Sequence, residues 1–326
     1  MPYPEFAMID TPAFLDAHRP DVPDLVIPQG VTPFYLAGRP VRGRLVRLGT
    51  LADALLSRHD NPDIVLRLAG EALALVGGLA SALKFQGSFS LQAKGDGPVS
   101  LLVADCTNAG ALRFHAHSDD DAVAALAVSE PDADAARLLG SGYLAFTVDQ
   151  GPDTDLHQGI VAIAGASLSD MAAHYFETSE QHACWVRLAC AHTDAGWRAS
   201  ALILERIATE GGIAAETPPD SDEDETWSTA VTLAATVTDA ELLDDNLSSD
   251  DLLYRLFHSE DVCADRPRAL AFGCRCSRAR LSGILETFGR EDLDHMAEDG
   301  TISMHCAFCN ISFRFGRDEV GGPVTD

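Results

Sequence analysis

The sequence predicts an α+β fold in three parts. These are a large mixed sheet-and-helix unit over residues 1–215, an acidic helical linker over 216–265, and a small C-terminal unit over 266–326. Three observations predict it. Strand-like alternation and helical periodicity succeed one another irregularly through the first part, not as a regular βαβ repeat. The composition then turns strongly acidic. Finally, four cysteines fall in two tight pairs, Cys274-Arg275-Cys276 and Cys306-Ala307-Phe308-Cys309, in a stretch too short to bury much core of its own.

Residues 1–20 carry no regular pattern and read as an arm. Segments 31–36 and 41–48 read as strands around the turn-rich Ala37-Gly38-Arg39-Pro40. Residues 62–83 set Ile64, Leu66, Leu68, Leu73, Leu75 and Leu79 among small residues, a helical pattern opened by Asn61-Pro62. Segment 85–93 alternates as a strand, Gly95-Asp96-Gly97-Pro98 turns the chain, and 99–104 runs as the next strand. Segments 112–117, 144–148 and 159–163 continue the series. A helix is predicted over 167–181, a strand over 184–191 and a helix over 200–208.

From 216 to 265 fifteen acidic residues face one basic residue, Arg255. The opening run, Thr217-Pro218-Pro219-Asp220-Ser221-Asp222-Glu223-Asp224-Glu225, has too little apolar surface to order itself. Short amphipathic pieces follow. Trp227, Val231 and Ala234 share a helical face, and Leu242 and Leu243 follow Asp239 as an N-cap. Leu252, Leu253, Leu256 and Phe257 follow Ser248-Ser249. Helices this short are marginal alone, so they are expected to dock on a neighbour. The stripe Leu252, Leu253, Leu256 and Phe257 is the docking face; it, or the surface it covers, is where a partner would bind after release. In the last part Leu281, Ile284 and Leu285 suit one short helix and Leu293 and Met296 another. Strands over 301–305 and 311–315 flank the second cysteine pair.

The formal net charge of −27, with 23 basic against 50 acidic residues, opposes non-specific nucleic-acid binding and favours solubility. No apolar run reaches the roughly 18 residues of a membrane span. Met1-Pro2-Tyr3-Pro4-Glu5 lacks the basic and apolar start of a secretory signal, so a cytoplasmic location is expected, where thiols stay reduced. In that setting paired cysteines signal metal or redox chemistry. Cys274, Cys276, Cys306 and Cys309, with 29 residues between the pairs, can close a tetrahedral shell around one Zn²⁺. A purely structural zinc knot and a redox switch both fit that spacing. His305 adjoins the second pair as a rival ligand, and Arg275, Arg278 and Arg280 would offset the thiolate charge.

Cys106, Cys184, Cys190 and Cys263 have no partner at metal spacing. Cys184 and Cys190 share one face of a predicted strand and read as buried, inert thiols. Cys263 lies in the linker close to the metal pattern. Asp105-Cys106-Thr107 has no evident histidine partner for a nucleophile, and Gly95-Asp96-Gly97-Pro98 lacks the Lys and Ser/Thr of a phosphate loop. Two other functions are open. One is a zinc-ribbon nucleic-acid module, although residues 268–326 carry seven Lys/Arg against nine Asp/Glu. The other is a thiol-disulfide oxidoreductase using Cys306 and Cys309, although such a motif normally opens a helix, and this one lies between two strands.

Several motifs in order resemble the redox-regulated holdase chaperones called heat shock protein 33. They are Phe272-Gly273-Cys274-Arg275-Cys276-Ser277-Arg278 with Cys306-Ala307-Phe308-Cys309, and the linker run Leu253-Tyr254-Arg255-Leu256-Phe257-His258. Gly97-Pro98-Val99 with Ala104-Asp105-Cys106-Thr107, Gly110-Ala111-Leu112-Arg113, and Tyr175-Phe176-Glu177-Thr178-Ser179-Glu180-Gln181 complete the set. The resemblance spans residues 30–316. It departs from the family at 198–208, where a Gly-Gly and a Gln-Xaa-Leu-Pro run are usual, and at Ala307 and Phe313. The resemblance implies an ATP-independent chaperone, not an enzyme, that binds unfolding client proteins under oxidative stress. It implies that the reduced form holds zinc on Cys274, Cys276, Cys306 and Cys309 and is inactive. Oxidation would then form the disulfides Cys274–Cys276 and Cys306–Cys309, release the metal and unfold the linker. It also implies homodimers in the oxidised form.

Overall fold

The structure, a computed structural model, describes residues 23–83, 86–130, 133–150, 154, 156–207 and 221–320. The expected arm and the acidic opening at 217–220 lie outside the described residues.

The chain begins with β1 (Val26–Leu36), β2 (Val41–Arg47), α1 (Thr50–Leu56) and α2 (Asp63–Ala80). Then come β3 (Ser88–Gly95), β4 (Val99–Thr107), β5 (Ala111–Ser118), α3 (Asp120–Ser129) and α4 (Ala135–Leu139). The large unit closes with β6 (Gly142–Asp149), β7 (His157–Ala162), α5 (Leu168–Thr178), β8 (Cys184–Thr193) and β9 (Gly196–Arg206). The linker forms α6 (Ser221–Ala234), α7 (Asp239–Leu243), α8 (Ser249–Phe257) and a 3-10 turn at His258–Glu260. Two strands follow, β10 (Val262–Ala264) and β11 (Arg268–Phe272). The tail holds α9 (Arg278–Leu285), α10 (Arg290–Met296), β12 (Ala297–Glu298), β13 (Thr301–Cys306) and β14 (Ile311–Gly316).

Among the described residues one sheet of 11 strands runs β7-β6-β3-β4-β5-β11-β1-β2-β9-β8, with β10 also on β1. A second sheet of three strands, β12-β13-β14, belongs to the tail. Helix α2 is buried almost all round because small residues (Ala69, Gly70, Ala72, Ala74, Gly77, Gly78) let strands approach it closely. It fills one face of the large sheet together with α1 and α5. The linker helices cover the other face: Leu252, Leu253, Leu256 and Phe257 pack on Phe34, Leu36, Val41, Leu45, Leu202 and Leu204. No described helix is long and apolar enough to cross a membrane.

Four expectations are corrected. The helix expected over 200–208 is not seen among its described residues; 200–206 belong to β9, paired with β2 and β8. Leu202 and Leu204 face the linker while Ala199, Ala201 and Ile203 face α2, so both faces are apolar and the alternation that marks a strand is erased. Residues 221–225 are not without order but start α6, where Asp224 pairs with Arg206 at 2.5 Å. The buried face of α6 is Trp227, Ala230 and Ala234, and Val231 stands outside it. The N-cap of α7 is Thr238, in a reciprocal capping box with Glu241, and Asp239 is the first helical residue.

Residues 262–272 also gain a role that spacing did not suggest. β10 and β11 lie in tandem along one edge of β1, and β11 pairs parallel with β5 on its other side. The strand before the first cysteine pair therefore sits inside the large sheet.

Candidate metal centre

Two loops meet at the end of β11. Phe272 and the neighbouring Ala269, Leu270 and Ala271 are buried, which anchors the first loop. Gly273 follows because a Cβ there would stand 2.4 Å from the Ala111 carbonyl carbon and 2.6 Å from the Leu112 nitrogen. Its own N–H donates to the Leu112 carbonyl at 2.7 Å. Cys274 and Cys276 come next, and Ser277 caps α9 by accepting from the Arg280 N–H. The second loop is the turn between β13 and β14. The N–H groups of Cys309 and Asn310 both donate to the Cys306 carbonyl, and Asn310 takes a left-handed φ of 57° that closes the turn. Cys306 and Cys309 thus lie in a hairpin turn, not at a helix start.

The four sulfurs converge. Cys274 Sγ is 3.3 Å from Cys276 Sγ and 3.6 Å from Cys306 Sγ, and Cys276 Sγ is 3.5 Å from Cys309 Sγ. All four lie within 4.8 Å of one another, and all four residues are buried. A tetrahedron of thiolates at the usual Zn–S length of about 2.3 Å spaces its sulfurs about 3.8 Å apart, so the set fits Zn²⁺. Among the described residues it is the one His/Cys/Asp/Glu cluster of metal-binding shape. His305 stands apart from it: its ring contacts Ser312 and Asn310.

The electrostatics distinguish Cys276, Cys306 and Cys309. Hydrogen bonds from Cys274 and Cys309, with backbone N–H groups of Phe308 and Cys309, hold Cys306 far below the usual thiol range. Burial, with the Cys274 contact, pushes Cys276 up to about 12. Cys309 is raised by its contacts with Cys274 and Cys306. A divalent cation replaces the shared protons of such a cluster, which is why thiolate sites bind metal and release protons together.

Cys106 and Cys190 are buried in the large core and Cys184 packs half-buried against it, and burial raises each thiol. Cys184 and Cys190 lie on one face of β8, as expected. Cys263 is half-buried on β10 beside Tyr35.

Sequence reasoning missed the residues of the large unit that grip the loops. Arg58 donates to the Cys309 carbonyl at 3.0 Å, and Asn310 donates to the Arg58 carbonyl. Arg275 and Arg113 both donate to Asp105 Oδ1, at 2.5 and 3.1 Å. Arg113 also lies over the Phe308 ring at 4.2 Å. His59, lowered to about 4 by burial although its ring donates to the Phe308 backbone carbonyl, and His115, lowered by burial, complete the contact. No local signal marks these partners, since Arg275 and Asp105 are 170 positions apart.

The chain matches known proteins over most of its length. Residues 30–316 match the family model described as Hsp33 protein. A 33 kDa chaperonin of Caulobacter vibrioides strain NA1000 is 37% identical over 294 residues, covering 89% of this chain and 95% of the relative. A 33 kDa chaperonin of Nitrosococcus oceani is 34% identical over 294 residues, covering 87% and 93%. The crystal structure of the 33 kDa chaperonin (heat shock protein 33 homolog) of Thermotoga maritima shares the fold, with a TM-score of 0.74 at 20% identity over 90% of this chain and 96% of that one. The chain, with its four converging sulfurs and the motifs around them, belongs to the Hsp33 family.

Proposed function

We propose that this chaperone is a redox-gated, ATP-independent holdase whose switch is Cys274, Cys276, Cys306 and Cys309. The observation that carries the reading is the convergence of four buried sulfurs on two loops, with amphipathic helices resting on an apolar sheet face elsewhere in the same molecule. The working parts are a core (1–215), a linker (216–265) and a metal segment (266–326), with β11 tying the third to the first.

Zn²⁺ held here would keep the four sulfurs as thiolates and lock the two loops together. In each loop a thiolate attacks peroxide, giving a sulfenic acid and hydroxide, and the neighbouring thiolate attacks the sulfenic sulfur, displacing a second hydroxide, to form the S–S bond. Per disulfide, two thiolates are oxidised, one peroxide is reduced, two protons are taken up and two waters leave. Disulfide sulfurs are poor donors, so the oxidised loops hold no cation. We assign the pairs as Cys274–Cys276 and Cys306–Cys309, because each stays local once the loops part, whereas a cross-link must hold separated loops together. The tail core of Leu281, Leu285, Leu293, Ile302, Phe315 and Val320 is small, so opening the loops removes much of its support.

The surface freed for unfolding clients is the linker stripe Leu252, Leu253, Leu256 and Phe257 with the sheet face beneath it. Clients are unfolded proteins, not nucleic acid; the location is the cytoplasm, and the oxidised form is a homodimer. The hairpin setting of Cys306 and Cys309 disfavours an oxidoreductase, whose motif opens a helix. The test is metal content and suppression of citrate synthase aggregation on reduced and peroxide-treated samples. About one Zn²⁺ per chain is expected before oxidation and little after, with protection appearing as the metal leaves. Protection that is equal in both states overturns the switch.

A further inference from the structure

We propose that Asp105 is the positioning residue of the switch: one carboxylate on β4 holds both cysteine loops against the large sheet and sets how readily they open. The inference rests on the redox reading above and adds to it a control point in the large unit.

Asp105 is buried, with 6% of its surface exposed. Its Oδ1 accepts from Arg275, which stands between the two cysteines of the first loop, at 2.5 Å. The same oxygen accepts from Arg113 Nε at 3.1 Å. Arg113 is the residue directly opposite Asp105 on β5, so the two side chains rise on the same face. The Arg113 guanidinium in turn lies 4.2 Å from the centre of the Phe308 ring, and Phe308 stands between the two cysteines of the second loop. One acid thus reaches both loops, the first through an ion pair and the second through a cation held over an aromatic face.

The need for such a grip follows from the topology. β11 covers β5 only at Ala111 and Leu112. Beyond that point β5 meets the metal segment through side chains alone, chiefly Arg113 and His115 against Phe308. Loss of the carboxylate leaves two neighbouring guanidinium groups without their shared acceptor. Arg275 then turns to water and Arg113 is no longer fixed over Phe308. Opening of the loops becomes easier, while the cysteines themselves are unchanged.

The test uses the full-length, reduced, zinc-loaded protein. Release of Zn²⁺ to the chelator 4-(2-pyridylazo)resorcinol is timed with and without hydrogen peroxide, for wild type, Asp105→Asn, Arg275→Gln and the double variant. Asp105→Asn is expected to release metal about tenfold faster, the scale of one lost charge-assisted hydrogen bond. Arg275→Gln is expected to show a smaller increase, because the Phe308 contact remains. The double variant is expected to match Asp105→Asn alone, since the arginine has no partner left to lose. Exchange protection of α2 amides reports the large core. A purely structural acid would lower that protection and leave metal release unchanged. Wild-type release from Asp105→Asn, or a double variant whose acceleration is the product of the two singles, overturns the clamp. If Asp105→Asn does not fold, Phe308→Leu and Arg275→Gln carry the test, each expected to accelerate release, and unchanged rates in both overturn it. A wild type that keeps its metal under peroxide would instead defeat the redox reading, so the two failures are distinct.

Discussion

At the residue scale, the eight cysteines stand in different environments. Hydrogen bonds from its neighbours lower the Cys306 thiol, whereas burial raises that of the half-buried Cys184. Cys306→Ser is therefore expected to abolish stoichiometric Zn²⁺ retention and Cys184→Ser to leave it intact, read by metal analysis after gel filtration. The four cysteines were legible in the sequence because their relation is local within each pair. The pairing of Asp105 with Arg113 and Arg275 was not, since partners on separate strands leave no spacing to read. A second residue-scale prediction concerns Glu205. Burial opposes its charge, but His182 at 3.4 Å and the guanidinium groups of Arg44 and Arg42 bring it down to about 2 from 4.5. A depressed carboxylate contributes stability that is complete above about pH 4.5 and is lost as pH falls towards 2. His182 is raised by Glu205, so its share is present below pH 6.5 and fades above its folded value. Glu205→Gln strands a buried Arg44 and is expected to cost about 3 kcal/mol near neutral pH, with a flatter stability profile between about pH 4.5 and 2, read by urea unfolding across that range.

At the element scale, the linker helices depend on docking. Phe257 is fully buried, its ring 5.5 Å from that of Phe34, and α8 has only nine residues. Phe257→Ala is expected to weaken docking by about 3–5 kcal/mol. The reduced variant should then suppress aggregation in part without oxidant, while wild type does not. A reduced variant as silent as wild type would remove the linker from the mechanism. The linker stripe was readable because one face is apolar and the other charged. β9 was misread because both its faces are buried. β10 and β11 escaped notice because a short strand between an acidic linker and a cysteine loop has no room to show a period. Their placement sharpens what oxidation should melt. Hydrogen exchange is expected to lose protection in α6 to α8 and in 274–320. It should stay protected in β11, whose Leu270 and Phe272 are sealed in the core. Loss of β11 protection together with the tail would show that the large sheet itself opens.

At the scale of the whole molecule, the question is how a metal loop controls a distant linker. The linker packs in a core of its own, from Phe34 to Val262, which contains no residue of the cysteine loops. The cysteines pack with the main core instead. The two regions share β1, which meets β11 and β10 along one edge and α8 through Phe34. The proposed coupling therefore runs through the sheet. In the proposed switch, opening of the cysteine loops beyond β11 is passed to β1, and the linker, with fifteen acidic residues against one basic, repels itself off a face it held only by short helices. Composition suggested three parts but gave no sign of this shared strand, because strand order is set by contacts far apart in sequence. The most direct test follows zinc release, linker exchange protection and suppression of citrate synthase aggregation in one peroxide titration of the full chain. The account predicts that all three change together, with the transition complete when both disulfides have formed. Full suppression of aggregation while zinc is still bound and the linker still protected would contradict it.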